Sequence, residues 1–507
     1  MGPLLSRLRE RRHGVQWLMH EPVAVPLWLF LPIAAFALWS LLDRLLIPSA
    51  RWVLRRRVNR LIERVNRRLQ VEIRPFQLTK RQVLIDRLIY DPQIVAAAND
   101  HAQAAKVPRE VVMNDVRRYA TEIVPAFNAY FYFRIGYLLA RALARALYRV
   151  RLGIADDKAL AAVGNDATVV FVMNHRSNMD YVLVAFLAAE RTALSYAVGE
   201  WARVWPLQTL IKAMGAYFVR RDSNDPLYRR VLERYVHMAT DAGVAQAMYP
   251  EAGLTRDGKL RSPRLGLLDY ALKSFDPHGP RDIVFVPVGI NYDRVLEDRT
   301  QLRAGDPAAE RRSGGYAIRT TLRFVGRNLR QMLSGNWYRF GYACVNFGVP
   351  VSARAWLAQH ADRFGGDLRT LSKERRFEAI GLLAQDLMTA IGKVVPVLPV
   401  SLVSTVLLEA ERPLDELELK ARCQALADTL RDGGARIYVP RDDRDYAIHV
   451  GLRMLRLRRL VTVSDDGLYS PAEAETPLLR YYANAIAHLP RVVDPTAHDP
   501  SNPAQRH

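Results

Sequence analysis

The sequence predicts an α/β fold: a mixed β-sheet flanked by helices, preceded by an apolar membrane segment and a helical region, and followed by a mostly helical C-terminal region. Two observations predict it. Between residues 165 and 295, four apolar, strand-like runs each end in a polar turn, with helix-length spacers between them. Ahead of them, Pro22 to Leu42 is a stretch without a charge. The expected units are 1–48, 49–150, 151–355, 370–493 and a polar, disordered tail over 494–507.

Composition narrows the partners. Half of the 507 residues are apolar, so a large core is available. Lys and Arg number 73 against 52 Asp and Glu, a net charge of +21. That balance favours anionic partners: nucleic acid, phospholipid head groups or phosphorylated ligands. Cys344 and Cys423 are the two cysteines, and neither has metal-type spacing. This fits a reducing compartment without disulfides. With no zinc signature and no P-loop, no metal and no cofactor is expected.

As a helix, Pro22–Leu42 would extend about 32 Å, matching a hydrocarbon core of roughly 30 Å. Trp28 and Trp39 lie near its ends, as interfacial aromatics do. Pro26 and Pro32 suit a kinked or re-entrant form. Arginines flank it, from Arg7 to Arg12 before and more densely from Arg44 to Arg68 after. By the positive-inside rule the bulk of the protein faces the cytoplasm. The chain then reads as mostly helical to Val150. Over Ile123–Val150, Arg134, Arg141, Arg145 and Arg149 fall on one helix face, with Ile135, Leu138, Leu139 and Leu143 elsewhere. Such a basic amphipathic helix suits an anionic membrane surface.

The chemistry is expected at the end of the first strand. Val169–Met173 is a run of β-branched and apolar residues, and it breaks into Asn174-His175-Arg176-Ser177-Asn178-Met179-Asp180. His175 thus sits where a strand ends, and Asp180 where a helix begins. An imidazole there can take a proton from a hydroxyl, and the carboxylate can fold back onto its other nitrogen. A second strand ends in Arg220-Arg221, a pair suited to a phosphate dianion. A third runs into Glu251, Gly253, Arg256 and Lys259. A fourth, Ile283–Ile290, carries Pro287, which reads as a strand edge or end. A base beside anion binders suggests attack by a hydroxyl of a phosphorylated substrate. No Ser or Cys stands in a nucleophile-elbow pattern, so transfer is expected to be direct.

These blocks resemble the glycerolipid acyltransferase superfamily and, within it, the glycerol-3-phosphate acyltransferases. The H-x4-D block is His175 to Asp180. The G-x-x-F-[IV]-R-R block is Gly215, Phe218, Val219, Arg220 and Arg221. The third block starts at Glu251, and the V-P-[IV] block is Val286, Pro287 and Val288. The Arg118–Pro125 stretch and Tyr481-Tyr482-Ala483-Asn484 look like the longer glycerol-3-phosphate branch. The resemblance implies an acyltransferase domain moving a fatty acyl group from acyl-CoA or acyl carrier protein to the 1-hydroxyl of glycerol 3-phosphate. His175 would be the general base, oriented by Asp180. Arg220, Arg221 and Arg256 would hold the phosphate, and Glu251 and Gly253 would shape the glycerol pocket. Ala252 replaces the family's usual Gly and Leu254 its Arg, which shifts that part to Arg256 and Lys259. The implied setting is a phospholipid membrane, at the cytoplasmic face of the inner membrane, without nucleic acid. Lysophosphatidate or dihydroxyacetone phosphate are the alternative acceptors. A basic membrane-surface or nucleic-acid-binding protein on a degenerate scaffold is the alternative of another class.

Beyond the blocks, Arg319, Arg323, Arg327 and Arg330 share a helix face, expected near an anionic surface or the acidic donor. Val345–Val351 reads as a strand. Leu414–Leu468 reads as three helices and short strands, the order of a winged helix. A structural or docking role is expected for it.

Overall fold

The computed structural model describes residues 73–154, 166–188, 192–199, 207–220, 223–306 and 339–491, most of 26–39 and a few positions between 158 and 164. The chain divides into two compact units, Met1–Val65 and Asn66–His507. In the first, much of 27–37 is helical, and Leu27, Trp28, Phe30, Leu31, Ile33 and Phe36 are exposed. Among the described residues no helix is long and apolar enough to cross a membrane. The span expected over Pro22–Leu42 is therefore not shown, and much of that stretch lies outside the described residues. So do the arginines of 319–330 and the tail from Asp494.

The second unit is built on one mixed sheet. Its strands are β1 (Arg149–Ile154), β2 (Thr168–Met173), β3 (Ser195–Gly199), β4 (Ala216–Val219), β5 (Gln246–Met248), β6 (Ile283–Tyr292), β7 (Tyr342–Phe347) and β8 (Val351–Ser352). They lie in the order β1-β7-β6-β2-β5-β3-β4, with β8 also on β6. Strands β2 to β6 are mutually parallel, whereas β7 and β8 run antiparallel to β6 and β1 runs parallel to β7. Every residue of β2 is buried, which explains its unbroken apolar run: helices cover both faces of the sheet. Alternation divides those faces. Val169, Phe171 and Met173 join one core cluster, while Val170 and Val172 join another.

Three sequence expectations are corrected here. Pro287 does not end a strand but lies inside β6. Strand β8 pairs with Val284 and Phe285, and β7 takes over from Val288, so the missing N–H falls between two neighbours. Arg149 and Val150, read as the end of a helix, open β1, because β7 offers them a parallel partner. The run Val345–Val351 is split, with β7 ending at Phe347 and β8 starting at Val351.

Helices α1 (Arg81–Ile89), α2 (Pro92–Ala105) and α3 (Arg109–Ile123) share a core with α7 (Pro226–Asp241). Asp91 and Asp225 cap α2 and α7, each followed by a Pro in the first turn. After a π-turn at Tyr132–Gly136, α4 (Tyr137–Leu147) buries its small side, Ala140 and Ala144. Ile135, Leu138, Leu139 and Leu143 are left exposed. Next in the chain come α5 (Met179–Ala188) and α6 (Leu207–Ala213), and after α7 come α8 (Gly266–Leu272) and α9 (Asp298–Gly305). On the face holding Val170 and Val172 pack α8, α10 (Ala353–Gln359) and α11 (Lys373–Val394).

The C-terminal region is α12 (Pro399–Glu409), α13 (Glu416–Asp432), α14 (Arg444–Leu457), an antiparallel hairpin of β9 (Val461–Val463) and β10 (Tyr469–Pro471), and α15 (Thr476–Ala483). Within Leu414–Leu468, where three helices were expected, the structure has two α-helices, α13 and α14, and the first strand of the hairpin; α12 lies before that span. Residues Pro399 to Leu407 are all buried, and Val400, Val403, Val406 and Leu407 share a core with β2, β6 and β7. Gly289 of β6 marks how close this packing is: a Cβ there would fall 2.4 Å from the Val394 carbonyl carbon, at the end of α11. Gly289→Ala is expected to cost about 1–3 kcal/mol through backbone displacement. Gly266→Ala, with nothing near its Cβ, is the control. Equal thermal midpoints for the two variants would refute the close approach.

Candidate active site

Because β2, β4, β5 and β6 are parallel, the turns that follow them gather at one sheet edge, the edge where open α/β sheets place ligands. The turn after β2 is anchored first. The Asn174 side chain donates to Ile290 O at 2.9 Å and accepts from Ile290 N at 2.8 Å, extending the β2–β6 ladder by one side chain. His175 follows, with Nδ1 2.9 Å from Asp180 Oδ2. The same oxygen accepts from Arg176 N at 2.7 Å and Ser177 N at 3.0 Å, and Oδ1 accepts from the Tyr292 hydroxyl at 2.5 Å. His175 is 1% exposed, stacked on Tyr249 at 4.0 Å and met edge-on by Tyr181. With Nδ1 turned to the carboxylate, Nε2 is the nitrogen left to accept a proton, and it has no hydrogen-bond partner among the described residues.

Glu297 supports the corner from behind β6. It accepts from Ser177 Oγ at 2.7 Å and Asn178 N at 3.2 Å, fixing the start of α5. Burial raises its carboxyl above the usual range, and burial also holds the Tyr292 and Tyr249 hydroxyls in their neutral form.

The turn after β5 closes over the motif, with Thr255 N donating to His175 O at 3.0 Å. It carries Glu251, which is 2% exposed. Burial pushes the Glu251 carboxyl up to about 8, so near neutrality it is largely a neutral acid able to donate to a hydroxyl. Ala252, standing where the family has Gly, adopts φ +51°, a left-handed conformation costly for a residue with a Cβ.

A cavity of about 990 Å³ opens beside this turn. Asn178, Tyr249, Glu251 and Gly253 line it, and Arg220, Arg229, Arg256, Arg261 and Arg264 make its wall strongly positive. His175 does not itself line it. The expected phosphate ligands are placed unequally. Arg256 is exposed on the cavity wall. Arg220 lines the cavity, but its Nε and Nη2 donate to Glu122 at 2.9 and 2.7 Å, and its guanidinium lies over Tyr119 and Tyr228. Lys259 is exposed and not part of the lining; its backbone N donates to Asp257, which turns the loop. Arg221 lies outside the described residues. Sequence reasoning missed Arg229, Arg261 and Arg264. The last two lie just beyond the third block, while Arg229 comes from α7 with no local signal to mark it. Sequence reasoning also gave no role to Arg176, which lies within the H-x4-D block, or to Tyr292, two residues beyond the fourth strand-like run.

Glu251 gives this site a pH signature. Between the ordinary 4.5 and about 8, the folded chain keeps a proton that the unfolded chain has lost. The stability associated with Glu251 is therefore full below the unfolded value and declines as pH rises toward the folded one. Glu251→Gln stays neutral throughout. Its stability relative to the parent is expected to rise by on the order of 2–4 kcal/mol from about pH 5 to about pH 8, read as unfolding midpoints. An offset that is the same at both pH values would contradict a buried, neutral Glu251.

Residues 157–291 match the family model described as Acyltransferase, and residues 327–490 match the Glycerol-3-phosphate acyltransferase C-terminal region. The chain is 30% identical over 373 residues to the glycerol-3-phosphate acyltransferase of Pseudomonas aeruginosa (strain UCBPP-PA14), covering 72% of this chain and 43% of that protein. It is 26% identical over 424 residues to that of Pasteurella multocida (strain Pm70), covering 82% and 50%. It thus spans half or less of the length of these curated relatives. A crystal structure of the 1-acyl-sn-glycerophosphate acyltransferase from Thermotoga maritima matches at 15% identity and a TM-score of 0.28, over 61% of this chain and 95% of that one, a likeness too slight to argue from. With both family regions present in order around the His175–Asp180 corner, the chain belongs to the glycerol-3-phosphate acyltransferase family.

Proposed function

We propose that this chain transfers a fatty acyl group from acyl-CoA or acyl carrier protein to the 1-hydroxyl of glycerol 3-phosphate. The observation that carries the reading is the buried His175–Asp180 pair, 2.9 Å apart, its imidazole stacked on Tyr249, which lines an arginine-rich cavity. In this reading Nε2 takes the hydroxyl proton as the oxygen attacks the thioester carbonyl carbon. The tetrahedral intermediate collapses, the carbon–sulfur bond breaks, and the imidazolium returns its proton to the leaving thiolate. Asp180 keeps the ring oriented and balances its transient charge. The neutral Glu251 acid donates to an acceptor hydroxyl, and the positive wall draws the phosphorylated acceptor in.

Purified protein in detergent is assayed for thiol release with glycerol 3-phosphate, lysophosphatidate and dihydroxyacetone phosphate side by side. Glycerol 3-phosphate is expected to be the best acceptor. His175→Ala is expected to lower kcat by about 10²–10⁴-fold without loss of the thermal transition. Undiminished turnover by that variant would remove the base, and a better rate with another acceptor would reassign the substrate.

We also propose that the protein works on the cytoplasmic face of the inner membrane, with the exposed apolar side of α4 against the lipid. Ile135, Leu138, Leu139 and Leu143 form a helix-spaced stripe bordered by Arg134, Arg141 and Arg145, a pattern suited to an anionic leaflet. Replacing Leu138 and Leu139 together by Glu is expected to weaken binding to phosphatidylglycerol vesicles by about tenfold or more, measured by co-sedimentation. Unchanged binding would clear this face of the role.

A further inference from the structure

Two guanidiniums stand beside the site, and their donors are used in opposite ways. A guanidinium grips an oxyanion best along the edge formed by Nε and Nη2, which offers two parallel donors. In Arg220 that edge is taken by Glu122. In Arg176 the same edge has no hydrogen-bond partner among the described residues, although the side chain is only 3% exposed. The remainder of Arg176 is held. Nη1 donates to Gly258 O at 2.7 Å, and the Tyr481 ring lies 5.1 Å from the guanidinium carbon. Gly258 is itself constrained, with φ +89° and a Cβ position 1.9 Å from the Tyr481 carbonyl oxygen. The motif, the turn after β5 and helix α15 therefore meet at this one side chain.

The surroundings single out the same place. Among the described residues, ten buried side-chain polar atoms have no hydrogen-bond partner, and six of them belong to His175, Arg176, Glu251 and Tyr481. Elsewhere such atoms are scattered singly, on Thr192, Tyr217, Gln246 and Ser404. Buried polar groups are normally paired, and an unpaired buried cation is costly. A corner that keeps two aligned donors on the residue that follows its base gains most from a ligand that brings its own anionic oxygens.

Resting on the acceptor assigned above, we infer that Arg176 grips the acceptor's phosphate through Nε and Nη2, and that Tyr481 of the C-terminal region is the positioning residue that holds the guanidinium for it. Arg220, with its edge spent on Glu122, shapes the wall instead. The neutral Glu251 acid does not repel the phosphate and remains available to a hydroxyl.

The test separates the acceptor's phosphate from those of the thioester's carrier. Arg176→Lys keeps the charge but loses the two-donor edge. It is expected to raise KM for glycerol 3-phosphate by about 10–100-fold, with KM for acyl-CoA unmoved. Tyr481→Leu is expected to raise the same KM by about 3–30-fold, and Tyr481→Phe to restore it, since only the ring is needed. If Arg176→Lys does not melt cooperatively, the Tyr481 pair decides the matter. An unchanged KM for glycerol 3-phosphate, or a rise confined to acyl-CoA, overturns the proposal. Calorimetric titration with glycerol 3-phosphate alone reads binding without turnover. Tight binding to the parent that survives in Arg176→Lys overturns the Arg176 assignment, whereas a parent that binds but transfers nothing overturns the acyl-transfer reading alone.

Discussion

One carboxylate holds the reacting corner together. Four donors converge on Asp180: the imidazole, two backbone N–H groups and the Tyr292 hydroxyl. Bonds of this kind are worth about 1.5–3 kcal/mol each, and removing the acceptor strands every donor in a buried site. The spacing of five follows from this. The backbone must curl through Arg176 and Ser177 so that a residue in the first turn of α5 can reach back to His175. That first turn also favours an acidic side chain through the helix dipole. Tyr292 comes from β6, so the corner holds its shape only if the β2–β6 register is correct, and Asn174 locks that register with two bonds to Ile290.

Around this corner, buried polar groups fall into two kinds. One kind joins the C-terminal region to the sheet through paired groups. Arg458 pairs with Asp298 at 2.6 Å and donates to the Tyr482 hydroxyl at 2.6 Å, and that hydroxyl accepts from Val295 N and donates to Asp298. Asp293 accepts from Tyr342 N and Val400 N, tying β7 to α12. Those at the sheet edge, on His175, Arg176 and Glu251, keep atoms without partners. Elsewhere among the described residues such atoms are few and scattered, so their clustering here marks the corner better than charge alone.

Much of this was legible in the sequence because it is local. The β-branched run of β2, the break at Asn174 and the five-residue step to Asp180 all lie within a dozen residues. What escaped is non-local. Glu122, which occupies Arg220, lies 98 positions away, in the Arg118–Pro125 stretch, and nothing in that stretch says which side chain it meets. Arg149 and Val150 looked like the close of a basic helix, and they open a strand only because β7, nearly two hundred residues later, accepts them. Pro287 misled for the same reason: whether a missing N–H matters depends on which neighbour lies opposite it. Tyr481 was visible as part of a likeness, but its place over Arg176 depends on a turn that only Gly258 permits.

The dryness of the corner ties these threads together. His175, Asp180, Arg176 and Glu251 are each at most 3% exposed, so charges there interact through little water and count for more than on the surface. In the proposed reaction, an acceptor with a phosphate and a hydroxyl would meet a fixed cation, a neutral acid and an oriented base, none of which must first shed a shell of solvent. That dryness depends on the C-terminal region: α12 shares the core beneath the sheet, and Tyr481 covers the guanidinium. The region that matches the C-terminal family model thus packs onto the same sheet core and onto the side chain that follows the reacting histidine.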